Sequence, residues 1–315
     1  MKYIFLGPRF KPAVVLYQEV YSRQDVQHYD NPFRIGGCQF LYKYLKSSAW
    51  IFKYLFRSFE ADEDEEVIFI YFNPWVDFCA KTGCVDYLRK KYKKSFHVVS
   101  LLDIHVARTY DMGMWKDIYD KVYIYDESEA ENLGISYYPA CYSKNHATPD
   151  ERKEIYDIAF VGQAKHRYAE IIKVFERASS VGLKCNFYIV GVDAQERKYA
   201  DTIKYGNVFL GEEEYFNNYI VNSKCLLEIQ LHATQALTAR VREAVMYDKK
   251  LLSNNASLLD YKYYRSDMMQ VYTNVDEIDF SFLHGKKGTY EYSNDFSPTL
   301  FLNELERQYD NAFKA

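Results

Sequence analysis

The chain has 315 residues, more than a single hydrophobic core usually serves, so two domains of about 150 residues each are expected. Hydrophobic residues make up 48% and charged residues 27%, as in soluble globular proteins, and the net charge of −4 argues against general nucleic-acid binding. No apolar run is long enough to span a bilayer, and Met1–Gly7 is too short for a signal peptide and reads as a first strand, so a cytoplasmic location is expected. Aromatic residues reach 18%, with 32 Tyr and 21 Phe, a surplus that suits strands, sugar-stacking surfaces or a membrane-interface patch.

Apolar β-rich runs alternate with helical patterns throughout. In the first half, strands are expected at 2–6, 67–72, 96–102 and 121–125, separated by helices near 38–58, 76–93 and 127–133. Gly36 and Gly37 open the first of these helices, where a backbone can approach a ligand, although a plain turn explains them equally well. Asp103 and His105 follow the strand at 96–102, the position from which either can take a proton from an acceptor hydroxyl; a structural role for His105 is the simpler reading. The polar stretch 142–153, with Pro149, marks a domain boundary, giving a first domain over 1–150 and a second over 151–290.

In the second half, strands near 157–161, 186–190, 207–209, 225–230 and 250–252 alternate with helices near 167–181, 194–204, 212–222 and 238–247. The closing segment 291–315 contains an amphipathic helix expected to return to the first domain. Alternation of this kind gives an α/β protein with two Rossmann-like domains, whose parallel sheets would face a central cleft holding donor and acceptor.

The six cysteines include no Cys-x-x-Cys pair and have no histidine at metal-ligand spacing, so reduced, packed thiols are expected. The acidic run Glu60–Glu66 reads as a solvated loop. The aromatic and basic segment 40–57 and the cationic patch Arg89–Lys94 are the places where the chain could touch an anionic membrane; burial is the simpler reading for the first, and the second stays open.

The strongest chemical signal lies between 157 and 247. A strand ends at Gly162, Gln163 follows, and Lys165 and Arg167 open the next helix, so free helix N–H groups and basic side chains can face a diphosphate. A second loop and helix carry Gln235, Thr238, Arg240 and Glu243. Thr238 can cap that helix; Val241, Ala244 and Val245 form its apolar stripe, and Arg240 and Glu243 share another face. The bland reading of Arg240 and Glu243 is a surface ion pair of ~0.3 kcal/mol.

Taken together, these two loops, with Asp120–Asp126, Gly134–Pro139 and the strand from Asp157, resemble over roughly 120–255 the nucleotide-sugar glycosyltransferases of the two-Rossmann-domain (GT-B) type, as found in bacterial capsule and lipopolysaccharide biosynthesis. The resemblance implies a metal-independent transferase that moves a sugar from a nucleoside-diphosphate donor to a surface-polysaccharide or lipid-linked acceptor, with no cofactor beyond the donor. It implies that Glu243 binds the ribose, and that Gln235, where such enzymes often carry a glutamate, binds the sugar. Gly162, Gln163, Lys165 and Arg167 would line the phosphates, and Thr238 and Arg240 the phosphate side of their helix. The departing diphosphate develops negative charge, which Lys165, Arg167 and Arg240 are placed to stabilise. No Asp-x-Asp triplet occurs outside the acidic run, where Asp62 and Asp64 lie, so no metal is expected. Two alternatives stay open: a catalytically degenerate nucleotide- or glycan-binding partner, and a nucleotide-sugar epimerase of the same fold.

Overall fold

The computed structural model describes residues 1–8, 15–34, 54–103, 109–144, 154–230 and 237–314. The chain divides into two compact units, Met1–Ser143 with Phe296–Ala315, and Lys144–Asp295.

The first unit is built on a six-stranded, all-parallel sheet of order β2-β1-β3-β4-β5-β6. Its strands are β1 (Lys2–Leu6), β2 (Val26–Tyr29), β3 (Glu66–Tyr71), β4 (Lys94–Leu101), β5 (Lys121–Ile124) and β6 (Ser136–Tyr137). Successive side chains of a strand point to opposite faces, and both faces here are buried. Ile4, Leu6, Val67, Phe69 and Tyr71 pack on one side, whereas Tyr3, Phe5, Ile68 and Ile70 pack on the other. Burial on both faces explains the continuous apolar runs in the sequence. Some of the tyrosines serve the same core, since Tyr3, Tyr71, Tyr92 and Tyr309 are among the largest fully buried side chains.

The first face is covered by α2 (Trp75–Thr82), α3 (Cys84–Lys91), α4 (Met112–Ile118) and α5 (Glu127–Leu133), after a short α1 (Gln18–Tyr21) on the other side. The helix expected over 76–93 is two helices, because Gly83 adopts φ +73, a left-handed conformation that stops the first and starts the second. Most of the helix expected near 38–58 lies outside the described residues.

The final helix α9 (Pro298–Phe313) belongs to the first unit. Ser297 caps it, accepting from the Thr299 N–H at 3.2 Å, and Pro298 occupies its first turn. Glu19 holds this start, accepting from Ser297 Oγ at 2.5 Å and Thr299 Oγ1 at 3.0 Å. Further along, Phe301, Leu302, Leu305 and Tyr309 sink into the core beside Tyr3 and Phe5, and Tyr3 donates to Glu306.

The second unit carries another six-stranded parallel sheet, of order β12-β11-β10-β7-β8-β9. Its strands are β7 (Tyr156–Gln163), β8 (Cys185–Val190), β9 (Lys204–Gly206), β10 (Ser223–Glu228), β11 (Lys250–Ser253) and β12 (Met269–Val271). Helix α6 (Tyr168–Ser180) packs Ile171, Val174, Phe175 and Ala178 against one face. The helix expected over 194–204 is only a 3₁₀ turn, Ala194–Glu196. The Lys198 backbone is claimed by tertiary partners instead, its N–H by the Tyr168 hydroxyl and its carbonyl by that of Tyr205. The helix expected over 212–222 starts as α7 (Glu212–Tyr215) and widens into a π turn over Phe216–Val221.

Among the described residues, five cysteines are free thiols, four of them buried. The cationic patch meets the acidic run, since Lys93 lies 3.5 Å from Asp64. No helix among the described residues is long and apolar enough to cross a membrane.

If α9 is part of the first core, Leu302→Ala, at a fully buried position, is expected to lower stability by about 2–5 kcal/mol in urea unfolding. Leu300→Ala, three-sevenths exposed on the same helix at 42%, should change it by less than about 0.5 kcal/mol.

Candidate functional site

Counted from β9, the second sheet has the strand order 3-2-1-4-5-6, which reverses direction between β7 and β10. In open parallel sheets, ligands collect in the crevice outside the carboxyl ends of the strands that flank such a reversal. Here those ends are Gly162–Gln163 on β7 and Glu228–Gln230 on and after β10.

Arg167 spans this crevice. Its Nε donates to the Gln163 carbonyl at 2.9 Å and its Nη1 to the Ile229 carbonyl, so one guanidinium ties the two strand ends together. The guanidinium lies 5.4 Å from the Phe160 ring centroid, and a Cβ on Gly162 would sit 2.6 Å from its Nη2. The glycine therefore makes room for the arginine. Burial pushes the Arg167 pKa down to about 10, helped by the positive charge of Arg240 and opposed by Glu228 and Glu170.

Lys165, by contrast, is exposed, and its φ of +42 puts a non-glycine residue in the left-handed region. It opens a 3₁₀ turn, Lys165–Arg167, that leads into α6. Behind it, Glu170 accepts from Tyr272 at 2.9 Å and from Asn254 at 3.2 Å, and Asn254 in turn accepts from the Gln230 N–H at 2.8 Å. The ends of β7, β10, β11 and β12 are joined in one polar network.

The second loop's helix is α8 (Ala239–Met246). Thr238 is its N-cap residue by backbone conformation, but its hydroxyl does not cap the helix; it donates to Glu228. The capping role expected of Thr238 is therefore corrected: donation to a buried carboxylate turns this hydroxyl away from the helix N–H groups. Glu228 is 2% exposed and also accepts from Ser253 Oγ. Burial raises its pKa, against the two hydroxyl hydrogen bonds and the charges of Arg242 and Arg167. Arg242, buried on the same helix, donates to the Leu237 carbonyl at 2.5 Å.

Val241, Ala244 and Val245 are fully buried, as the apolar spacing requires. Arg240 and Glu243 pair at 2.6 Å, yet this is no surface ion pair, because Glu243 is only 1% exposed. Tyr215, from α7, donates to Glu243 at 2.7 Å, and its ring lies 4.5 Å from the Arg240 guanidinium carbon. Glu243 thus sits beneath a tyrosine and an arginine and orients both.

The structure brings Gly162, Gln163, Lys165, Arg167, Thr238, Arg240 and Glu243 to the carboxyl edge of the second sheet. Asp103 is exposed after the end of β4 in the first unit. Gly36, Gly37, His105 and Gln235 lie outside the described residues. Sequence reading passed over Glu228, Tyr215 and Glu170. Glu228 left a trace, being the only charged residue in the run Cys225–Gln230; Tyr215 left none among 32 tyrosines.

No protein-family model matches the chain, and neither does any curated protein sequence. Solved structures do match it. A glycosyltransferase from Rickettsia africae superposes with a TM-score of 0.56 at 13% identity, covering 98% of both chains. An alpha-glucosyltransferase solved with UDP and a mismatched DNA 13-mer gives 0.56 at 8% identity, over 97% of this chain and 98% of its own. UDP-GlcNAc 2-epimerase from Neisseria meningitidis, solved with UDP-GlcNAc, gives 0.52 at 9% identity, over 98% of this chain and all of its own. At these identities the likeness is one of fold, and that fold is the α/β GT-B type with two Rossmann-like parallel sheets.

Arg167→Met should leave the Gln163 and Ile229 carbonyls without their donor and cost about 1–3 kcal/mol in denaturant unfolding. A second expectation concerns pH. Because the folded state raises the Glu228 pKa above its ordinary 4.5, it binds that proton more tightly than the unfolded state does. The stabilisation is complete below pH 4.5 and is lost as pH rises through the folded value. The difference in unfolding free energy between the native protein and Glu228→Gln should fall across that window and then level off.

Proposed function

We propose that the chain is a glycosyltransferase that takes a sugar from a nucleoside-diphosphate donor held at the carboxyl edge of its second sheet. The observation that carries this reading is the gathering of Lys165, Arg167 and Arg240 at the strand reversal, together with a helix start whose cap hydroxyl is turned away. A diphosphate there would face N–H groups and several cations. Its charge would relieve the repulsion between Arg167 and Arg240. As the glycosidic bond breaks, the same groups would stabilise the departing diphosphate without having to move.

In this reading Arg167 shapes the crevice and adds charge, since its Nε and Nη1 are already bonded to protein carbonyls. Lys165 and Arg240 are the groups that reach the phosphates, with Gly162 and Gln163 lining them, and Gln235 is assigned to the sugar. Glu243 is assigned to the ribose side, directly or through the Tyr215 and Arg240 it holds. Asp103, or His105, would take the proton from the acceptor hydroxyl. The acceptor is assigned to the surface-polysaccharide or lipid-linked class, and the enzyme to the cytoplasmic side of a membrane, on the resemblance of the 120–255 stretch to capsule and lipopolysaccharide transferases. No cofactor beyond the donor is assigned.

A second reading, a nucleotide- or glycan-binding partner without turnover, is favoured by one observation: Glu243 is covered by Tyr215 and Arg240 rather than presented to a ligand. Calorimetric titration with UDP, GDP, CDP and CMP, with and without magnesium, followed by transfer assays with the sugar nucleotide of the base that binds, separates the two. The transferase reading expects one diphosphate to bind and its sugar to be transferred. Arg240→Ala and Lys165→Ala should each weaken that binding by about ten- to a hundredfold, the worth of a charge-assisted hydrogen bond. Asp103→Asn should slow transfer without changing nucleotide affinity. Binding without transfer to any acceptor favours the partner reading; binding of no nucleotide contradicts the transferase reading and leaves only a glycan-binding partner.

A further inference from the structure

A threonine at the N-cap position ordinarily accepts from the N–H two or three residues on. Thr238 has the extended backbone of such a residue, φ −75 and ψ 171, and its carbonyl accepts from the Arg242 N–H at 3.5 Å, yet its hydroxyl makes no cap. The hydroxyl donates to Glu228 instead. Glu228 stands at the end of β10, 2% exposed, and its other oxygen is held by Ser253 Oγ. Ser253 is fully buried and itself accepts from the Asn255 N–H at 3.0 Å. The carboxylate therefore cannot swing away from Thr238 without breaking contacts that run through the end of β11.

Next to this network along the chain, the Asn255 side-chain Nδ2, on a residue 2% exposed, has no hydrogen-bond partner among the described residues. A buried donor left unpaired beside this network is uncommon in folded proteins. Glu228, Ser253 and Thr238 are thus fixed by one another, while the first N–H groups of α8 are left unserved by their own cap residue.

We propose that Glu228 is a positioning residue that holds the Thr238 hydroxyl off the start of α8 and so keeps the helix N–H groups of Ala239–Val241 open for the diphosphate of the donor. The inference rests on the donor site proposed above and adds to it the residue that keeps it open. It makes Glu228 act through Thr238, without itself touching the ligand: a buried carboxylate next to a diphosphate would repel it, and Arg242 and Arg167 offset that charge. Without Glu228, the hydroxyl would be released to cap α8 and would compete with the ligand for the same N–H groups.

Thr238 is what makes the test specific. The full-length protein would be titrated with UDP, GDP and CDP as the native chain, as Glu228→Leu, as Glu228→Gln and as the double variant Glu228→Leu with Thr238→Val, each first checked for cooperative thermal unfolding. Glu228→Leu should weaken binding of the preferred diphosphate about five- to tenfold, the order of a helix cap gained by the competitor. Adding Thr238→Val removes the competing hydroxyl and should bring affinity back to within about threefold of native. A purely structural role for Glu228 does not produce that rescue. Glu228→Gln keeps the side chain's shape but has one acceptor oxygen for two hydroxyls, and should fall between native and Glu228→Leu; it supplies the comparison should the leucine variant fail to fold, with Glu228→Gln/Thr238→Val as its rescue. A native chain that binds a diphosphate while neither Glu228 variant loses affinity, or a double variant no better than the single, overturns the inference and leaves the donor site standing. A native chain that binds no diphosphate overturns the donor site and this inference with it.

Discussion

One half-buried guanidinium holds the second unit's carboxyl edge together. Arg167 leaves the turn after β7, crosses the point where strand order reverses and bonds the carbonyl after β10. In an open parallel sheet this is where two crossovers depart in opposite directions and a crevice forms. Without a bridge, the ends of β7 and β10 would be joined only by the ladder behind them, where the paired residues run no further than Ala159 and Leu226. The arginine extends the contact past the last ladder pair and fixes the distance between the two ligand-facing loops. Gly162 follows from this constraint, since its missing Cβ is the space the guanidinium fills. The charge of the site follows as well, because the arginine is held where it feels the positive charge of Arg240.

A second layer of the design is a set of carboxylates, Glu228 and Glu243 buried and Glu170 half-buried, each already partnered. Glu228 holds two hydroxyls, Glu170 a tyrosine and an asparagine, and Glu243 a tyrosine and an arginine. A buried carboxylate is costly unless hydrogen-bonded, and here each one fixes its neighbours at the carboxyl ends of the strands. Arg240 is thereby oriented by Glu243, and Arg167 by the Gln163 and Ile229 carbonyls. That division keeps the anion-binding side positive while the unit as a whole stays near neutral.

The interior of both sheets was legible in the sequence, and the edges were not. Every interior strand, β1, β3, β4, β5, β7, β8, β10 and β11, coincides with an apolar run. The edge strands β2, β6 and β12 gave no such run, and β9 was placed three residues too late, at 207–209 instead of Lys204–Gly206. Edge strands are short and half-exposed, as in Val26–Tyr29, where only Val26 is buried, so they lack the signal that burial on two faces writes into a sequence. The site divides in the same way. Glycine, lysine and arginine after a strand mark a turn by their types and spacing, and so do Thr238, Arg240 and Glu243. What spacing does not carry is which partner a polar group chooses. Thr238 reads as a cap until Glu228, ten residues earlier on a neighbouring strand, is seen to hold its hydroxyl. Tyr215 reaches Glu243 across 28 positions of sequence, and nothing local announces it.

The central claim is that an anionic ligand sits between the turn after β7 and the start of α8. Hydrogen–deuterium exchange of the full chain, with and without a saturating nucleoside diphosphate, tests it most directly, because the amides concerned are the proposed ligands. The account predicts slowed exchange concentrated at Gly162–Arg167 and Ala239–Val241, with the rest of the second unit little changed. Protection confined to other segments, or none at either while the diphosphate demonstrably binds, would contradict it.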